Sequence, residues 1–145
     1  IHGWESNSFR WKYLVDPLRK LDYNIISIDA PAHGNSDGTL FTAVKYSKII
    51  KTTIELYEPQ IVIAHSVGAM ATIFQESKKS HVSIEKLVLL GSPNRLEVIM
   101  KGYQELVSFN DAVYNSLNHL LKNNFGYYIT DFNASDFAKK MAIPT

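Results

Sequence analysis

Ten residues, Ile61-Val62-Ile63-Ala64-His65-Ser66-Val67-Gly68-Ala69-Met70, restrict the fold more than any other stretch of this chain. Their β-branched start suits a fully buried strand. Ala64-His65-Ser66-Val67-Gly68 is then a small-x-Ser-x-small unit, and Met70, Ala71, Ile73 and Phe74 continue at helical spacing. Strand, sharp turn and helix in that order hold a serine in a strained turn with its side chain pointing out of the sheet. Small residues are needed two before and two after it, because a larger Cβ would meet the neighbouring backbone. Ala64 stands where glycine is commoner, a departure the geometry tolerates.

Gly34-Asn35-Ser36-Asp37-Gly38 matches Gly-x-Ser-x-Gly more strictly, yet its surroundings are wrong. The preceding strand-like run ends at Asp29, Pro31 intervenes, and no helix begins after Ser36. Gly, Asn, Ser and Asp clustered in this way form a surface turn. Ser66 is the candidate carried forward.

The chain has 145 residues, enough for one modest domain with a real core. A formal charge of +1 gives no electrostatic case for nucleic acid or an anionic membrane. No apolar run approaches the length of a membrane span. Cysteine is absent, which removes disulfides and thiolate metal sites and fits a reducing, cytoplasmic compartment. The histidines lack metal-ligand spacing, and no Gly-rich phosphate loop follows a strand, so no cofactor is expected.

In chain order, Trp11, Leu14, Val15 and Leu18 mark one helix face, which Pro17 is expected to kink or split. Tyr23 to Asp29 reads as a buried strand and residues 30–38 as a turn-rich loop. Val44 to Tyr57 reads as a helix ended by Pro59, Glu76 to Ser83 as a polar stretch, and Leu87 to Leu90 as another buried strand. Strand-like runs alternating with helices imply an α/β fold with a mostly parallel sheet and helices on both faces. Beyond Asn94 the alternation stops. Leu96 to Val107 and Val113 to Leu121 are two helical stripes, the second capped by Asn110 or Asp111, and Ser135 or Asp136 is expected to cap a last short helix. Ile1-His2-Gly3-Trp4 reads as the tail of a strand running into a loop, and Ile143-Pro144-Thr145 as the entry to another. The expected division is therefore a partial α/β core (1–93), a helical excursion (94–140) and the start of a further core strand (141–145), in an incomplete fold. With that strand unfinished, the isolated chain is expected to aggregate or fold poorly.

Three landmarks in order resemble the α/β-hydrolase family. They are His2-Gly3-Trp4, the segment Asp29-Ala30-Pro31-Ala32-His33-Gly34-Asn35-Ser36-Asp37-Gly38, and Ala64-His65-Ser66-Val67-Gly68. The resemblance covers essentially the whole chain and makes residues 94–140 the family's cap. It implies a serine hydrolase acting on a small-molecule acyl substrate, a carboxylic ester or a related bond. Ser66 would be the nucleophile, with the backbone N–H groups of Trp4 and Val67 as the oxyanion hole. The alternatives are thioester, amide or carbon–carbon bond hydrolysis, perhydrolysis, and a binding protein that keeps the turn without the chemistry.

The family order is Ser, then Asp or Glu, then His. The resemblance places that acid and histidine beyond Thr145, so the 145 residues alone are expected to be inactive. Among the visible residues, His2, His33 and His65 belong to the landmarks and are expected to order loops. His81 lies beyond the helix after Ser66, and His119 sits in an apolar helical stripe. Of Ser92, Asn94 and Glu97, only Glu97 has the chemistry of an acid. The aromatics Tyr103, Phe109, Tyr114, Phe125, Tyr127 and Tyr128 could line an acyl pocket or form the excursion's own core, and most of them read as the latter.

Overall fold

In the computed structural model, which describes residues 1–143, a 3-10 turn (Ser8–Trp11) leads into α1 (Lys12–Lys20). Pro17 lies inside α1 and does not split it. Tyr13 and Pro17 are both exposed, so water can take the carbonyl that Pro17 leaves unbonded. Thr42 caps α2 (Ala43–Tyr57), its hydroxyl accepting the Lys45 N–H at 3.1 Å. α2 ends at Glu58, with φ +45°, just before Pro59. β1 (Ile61–His65), α3 (Val67–Lys78) and β2 (Lys86–Leu90) follow. β1 and β2 pair in parallel, Ile61 opposite Lys86 through His65 opposite Leu90.

The expected strand over 23–29 is a correction. Those residues take no regular structure, and their backbone makes no ladder with any described residue. The β-branched run encodes an extended conformation, but a strand needs a neighbour at pairing distance. Among the described residues, β1 is instead bonded on that side by Ile1 alone. Its N–H group donates to the Ile63 carbonyl at 2.8 Å, and its carbonyl accepts the His65 N–H at 3.0 Å. β2 also departs from the expected buried strand, because Leu87 is buried while Val88 and Leu90 are exposed. One face of the sheet is covered, by α2 and α3, and there the core sits: Val62, Leu87, Tyr46, Ile50, Ile54, Met70 and Phe74.

The excursion comprises α4 (Leu96–Val107), α5 (Asp111–Phe125), a 3-10 turn (Ile129–Asp131) and α6 (Ala134–Ala138). Asn110 caps α5 through the Val113 N–H. The cap of α6 is Asn133, which accepts from Ser135 and Asp136, rather than either of those two residues. The excursion leaves and returns at one place. Leu96 N–H donates to the Phe132 carbonyl at 3.1 Å and Ala134 N–H to that of Asn94 at 2.7 Å. Of the segment expected to open a further strand, Pro144 and Thr145 lie outside the described residues.

Candidate active site

Ser66 sits between β1 and α3 with φ +53° and ψ −129°. Few non-glycine residues accept this region, and holding one there costs about 1–3 kcal/mol. Both flanks enforce it. The Ser66 N–H is bonded to the Leu90 carbonyl at the end of β2 (2.9 Å), while its carbonyl accepts the Met70 N–H in the first turn of α3 (3.1 Å).

The loop at residues 2–4 lies across this turn. A Cβ on Gly3 would come 2.8 Å from Ser66 Cβ and 3.1 Å from His65 Nδ1. The His2 carbonyl in turn rests against Gly68, so both glycines exist to let two backbones meet. His2 is fully buried and fixes the loop. Its Nδ1 donates to the Gly3 carbonyl at 2.6 Å and its Nε2 accepts the Ala30 N–H at 2.8 Å. Burial pushes its pKa down, and this bonding pattern is that of the neutral ring. The 3.9 Å approach of Asp29 to Nε2 is therefore a contact and not an ion pair.

Asp29 ties the second landmark to the first. Its carboxylate accepts the Ser8 N–H at 2.6 Å and the Asn35 N–H at 2.9 Å, and its carbonyl accepts the Ser36 hydroxyl. Ser36 is exposed in this turn, as expected. Burial alone would raise the Asp29 carboxyl, but the hydrogen bonds from Asn35 and Ser8 outweigh it and hold the carboxyl below its ordinary value. A carboxyl depressed by folding stabilises above its unfolded pKa, near 3.8, and loses that contribution as pH falls through its folded value. Asp29→Asn is thus expected to be less stable than the parent at neutral pH and to lose less as pH falls below the unfolded value of 3.8. Parallel acid-unfolding curves check this, and identical pH slopes would refute it.

His33 orders the same loop, accepting the Glu5 N–H at Nε2 and meeting the Pro31 carbonyl through Nδ1. His65 departs from that pattern. Nδ1 is buried without a partner among the described residues, and Nε2 lies 3.4 Å from the Arg10 guanidinium. Burial first, and Arg10 second, push its pKa down. The N–H groups of Trp4 and Val67 donate to no other described residue. Val67 is the first residue of α3, where helical N–H groups lack internal partners and the dipole is positive.

The other candidates lie apart or are engaged elsewhere. His81 Nδ1 bonds Glu76 at 2.7 Å near the far end of α3, and His119 is exposed on α5 beside Tyr128. Glu97 is held by Arg95 at 2.6 Å and by Lys101 at 3.0 Å. Tyr127 packs on Phe74 in the core, whereas Tyr103 stacks 5.9 Å from Trp4, which also meets Phe41 at 6.2 Å. Tyr103 also packs on Phe109 at 6.2 Å within the excursion, and its helical spacing carries no sign that it reaches across to Trp4 as well.

Fold and site together describe an α/β protein whose serine is lifted out between a parallel strand and the helix after it. The sequence profile of the Alpha/beta hydrolase family matches residues 1–142, and the chain belongs to that family. It is similar to the uncharacterized hydrolase YugF of Bacillus subtilis (strain 168), with 26% identity over 102 residues, 67% of this chain and 37% of that protein. Its structure resembles an esterase (EaEST) from Exiguobacterium antarcticum, with a TM-score of 0.59 and 22% identity, covering 63% of this chain and 36% of the esterase. The chain thus spans a little over a third of the length of either relative. No helix among the described residues is long and apolar enough to cross a membrane.

Proposed function

We propose that this chain carries the nucleophile and oxyanion hole of a serine hydrolase that cleaves a carboxylic ester or a related acyl bond. The observation that carries the reading is Ser66, held at φ +53° at the end of β1, followed by Val67 and met by the loop at Gly3, with the N–H groups of Val67 and Trp4 donating to no other described residue. Ser66 Oγ attacks the carbonyl carbon as its proton passes to a base. The carbonyl oxygen becomes an oxyanion and accepts from the two N–H groups. Collapse of this intermediate breaks the bond to the alcohol, which leaves with a proton, and the acyl group stays on Ser66. Water then repeats the sequence and releases the acid.

Losing one oxyanion donor costs about 10² to 10³ in rate, so the loop beginning at His2 is part of the machinery and not only its frame. His2, His33 and His81 are engaged by their neighbours, and none is proposed as the base. Trp4, Phe41 and Tyr103 form an aromatic wall beside the loop, which suits a small-molecule substrate with an apolar portion. Residues 94–140 act here as a cap.

A fluorophosphonate probe is expected to label the whole protein on Ser66, and Ser66→Ala to abolish the label. A folded protein that resists labelling at every probe concentration would favour the binding-protein reading.

A further inference from the structure

Arg10 lies in the 3-10 turn that follows the loop carrying Trp4. The backbone of this turn is tied down. Ser8 N–H donates to the Asp29 carboxylate at 2.6 Å, Phe9 N–H to the Asn7 side chain at 3.1 Å, and Arg10 N–H to the Asn7 carbonyl at 3.2 Å. From there the Arg10 side chain reaches the end of β1, where one guanidinium nitrogen meets His65 Nε2 at 3.4 Å.

His65 stands next to the candidate nucleophile. A Cβ on Gly3 would lie 2.8 Å from Ser66 Cβ and 3.1 Å from His65 Nδ1, so one loop residue touches the serine and the imidazole at once. The guanidinium is thus held one imidazole away from the residue that meets Ser66.

The ring's protonation follows from its neighbour. A guanidinium has donors only, so the neutral imidazole turns the lone pair of Nε2 to Arg10 and carries its proton on Nδ1. That N–H is buried without an acceptor among the described residues, an arrangement that costs about 1–3 kcal/mol. What the ring holds in return is a cation without a counter-ion. Arg10 is exposed, and no carboxylate of the described residues lies within ion-pair distance of it, whereas Arg95 binds Glu97 at 2.6 Å. A neutral ring at 3.4 Å engages one donor and cancels no charge. The rest of the planar fork is left for an anion, and a carboxylate matches its geometry.

We propose that Arg10, docked on His65, anchors a carboxylate carried by the acyl substrate, so that the preferred substrate is an ester with a negative charge set apart from its scissile bond. This rests on the reading of Ser66 as the nucleophile. Trp4 and Arg10 then receive the apolar and the charged part of one substrate from a single stretch of chain. Because the turn is fixed and the guanidinium is already seated, little further freedom is lost when the anion binds.

The test uses the whole protein and two matched pairs of esters. One pair is p-nitrophenyl hydrogen glutarate and its methyl-capped counterpart, with the charge on the acyl side. The other is 4-acetoxybenzoate and its methyl ester, with the charge on the leaving group. In at least one pair, kcat/KM is expected to favour the charged member about tenfold or more. Arg10→Gln is expected to lower that ratio by a similar factor, and Arg10→Lys, which keeps the charge without the fork, to retain part of it. An uncharged fluorophosphonate reports Ser66 in the parent and in each variant, and the parent's own ratio decides where a variant does not fold. Absence of label in the parent would overturn the reading of Ser66 and this proposal with it. A labelled parent that turns over both members of each pair equally, or a preference that survives Arg10→Gln, would overturn this proposal alone.

Discussion

Gly68→Ala is expected to lower stability by about 2–3 kcal/mol, although alanine is the better helix former by about 1 kcal/mol. Gly68 is the second residue of α3, and a Cβ there would overlap the His2 carbonyl and come 3.0 Å from Ile1 Cγ2. Neither neighbour can yield cheaply. His2 is anchored at both ring nitrogens, and Ile1 is bonded to β1 through its N–H group and its carbonyl. Relief requires the loop carrying Trp4 to lift away from Ser66, so the variant is expected to lose fluorophosphonate labelling as well as stability. Gly102→Ala is the matched control. It lies in the middle of α4 with nothing within 4 Å of its Cβ position, and it is expected to stabilise by up to about 1 kcal/mol. Urea melts of the two variants decide the matter: if both are stabilised, the close approach of the His2 loop has no energetic weight.

Glu76→Ala is expected to cost about 3 kcal/mol. Glu76 is fully buried in α3, and its two oxygens take the His81 N–H at 2.8 Å and His81 Nδ1 at 2.7 Å. Glu55 of α2 approaches the other ring nitrogen at 3.8 Å, so the group joins α2, α3 and the turn after α3. Removing the carboxylate leaves a half-buried backbone N–H without its acceptor as well as a buried void. Glu76→Gln keeps one acceptor and is expected to cost less than half as much. In a double-mutant cycle, His81→Ala should contribute little once Glu76 is gone. Additive losses would mean that the two residues do not act as one unit.

Glu76 also shows where reading by residue type failed. A glutamate followed by Ser, Lys, Lys and Ser looks like a solvated helix end, and only the return of His81 makes its burial affordable. The elbow was legible because its information is local: a β-branched strand, small residues around a serine and a helical stripe follow one another without a gap. The two histidines that order the landmark loops were legible for the same reason. The strand expected at 23–29 was half legible. Ile25, Ile26 and Ile28 encode an extended backbone, but pairing depends on a neighbour that those residues do not specify. The exposed face of β2 follows likewise, since Leu87 to Leu90 cannot say which of its faces is covered. Pro17 does not split α1, because a proline on the wet side of a short helix forfeits one bond that water replaces.

The two hydrogen bonds that join Leu96 to Phe132 and Ala134 to Asn94 have a consequence for how the molecule can change. They clip the excursion shut at its base, so the core is closed by a short bridge and hardly senses the length of chain between. Lengthening a closed loop adds little entropy, about 0.6 kcal/mol for each doubling. The exposed turn between α4 and α5 can therefore be lengthened at little cost, whereas Leu96, Ile99, Leu121, Phe125 and Tyr127, which pack against the core, tie the rest of the excursion to the frame around Ser66.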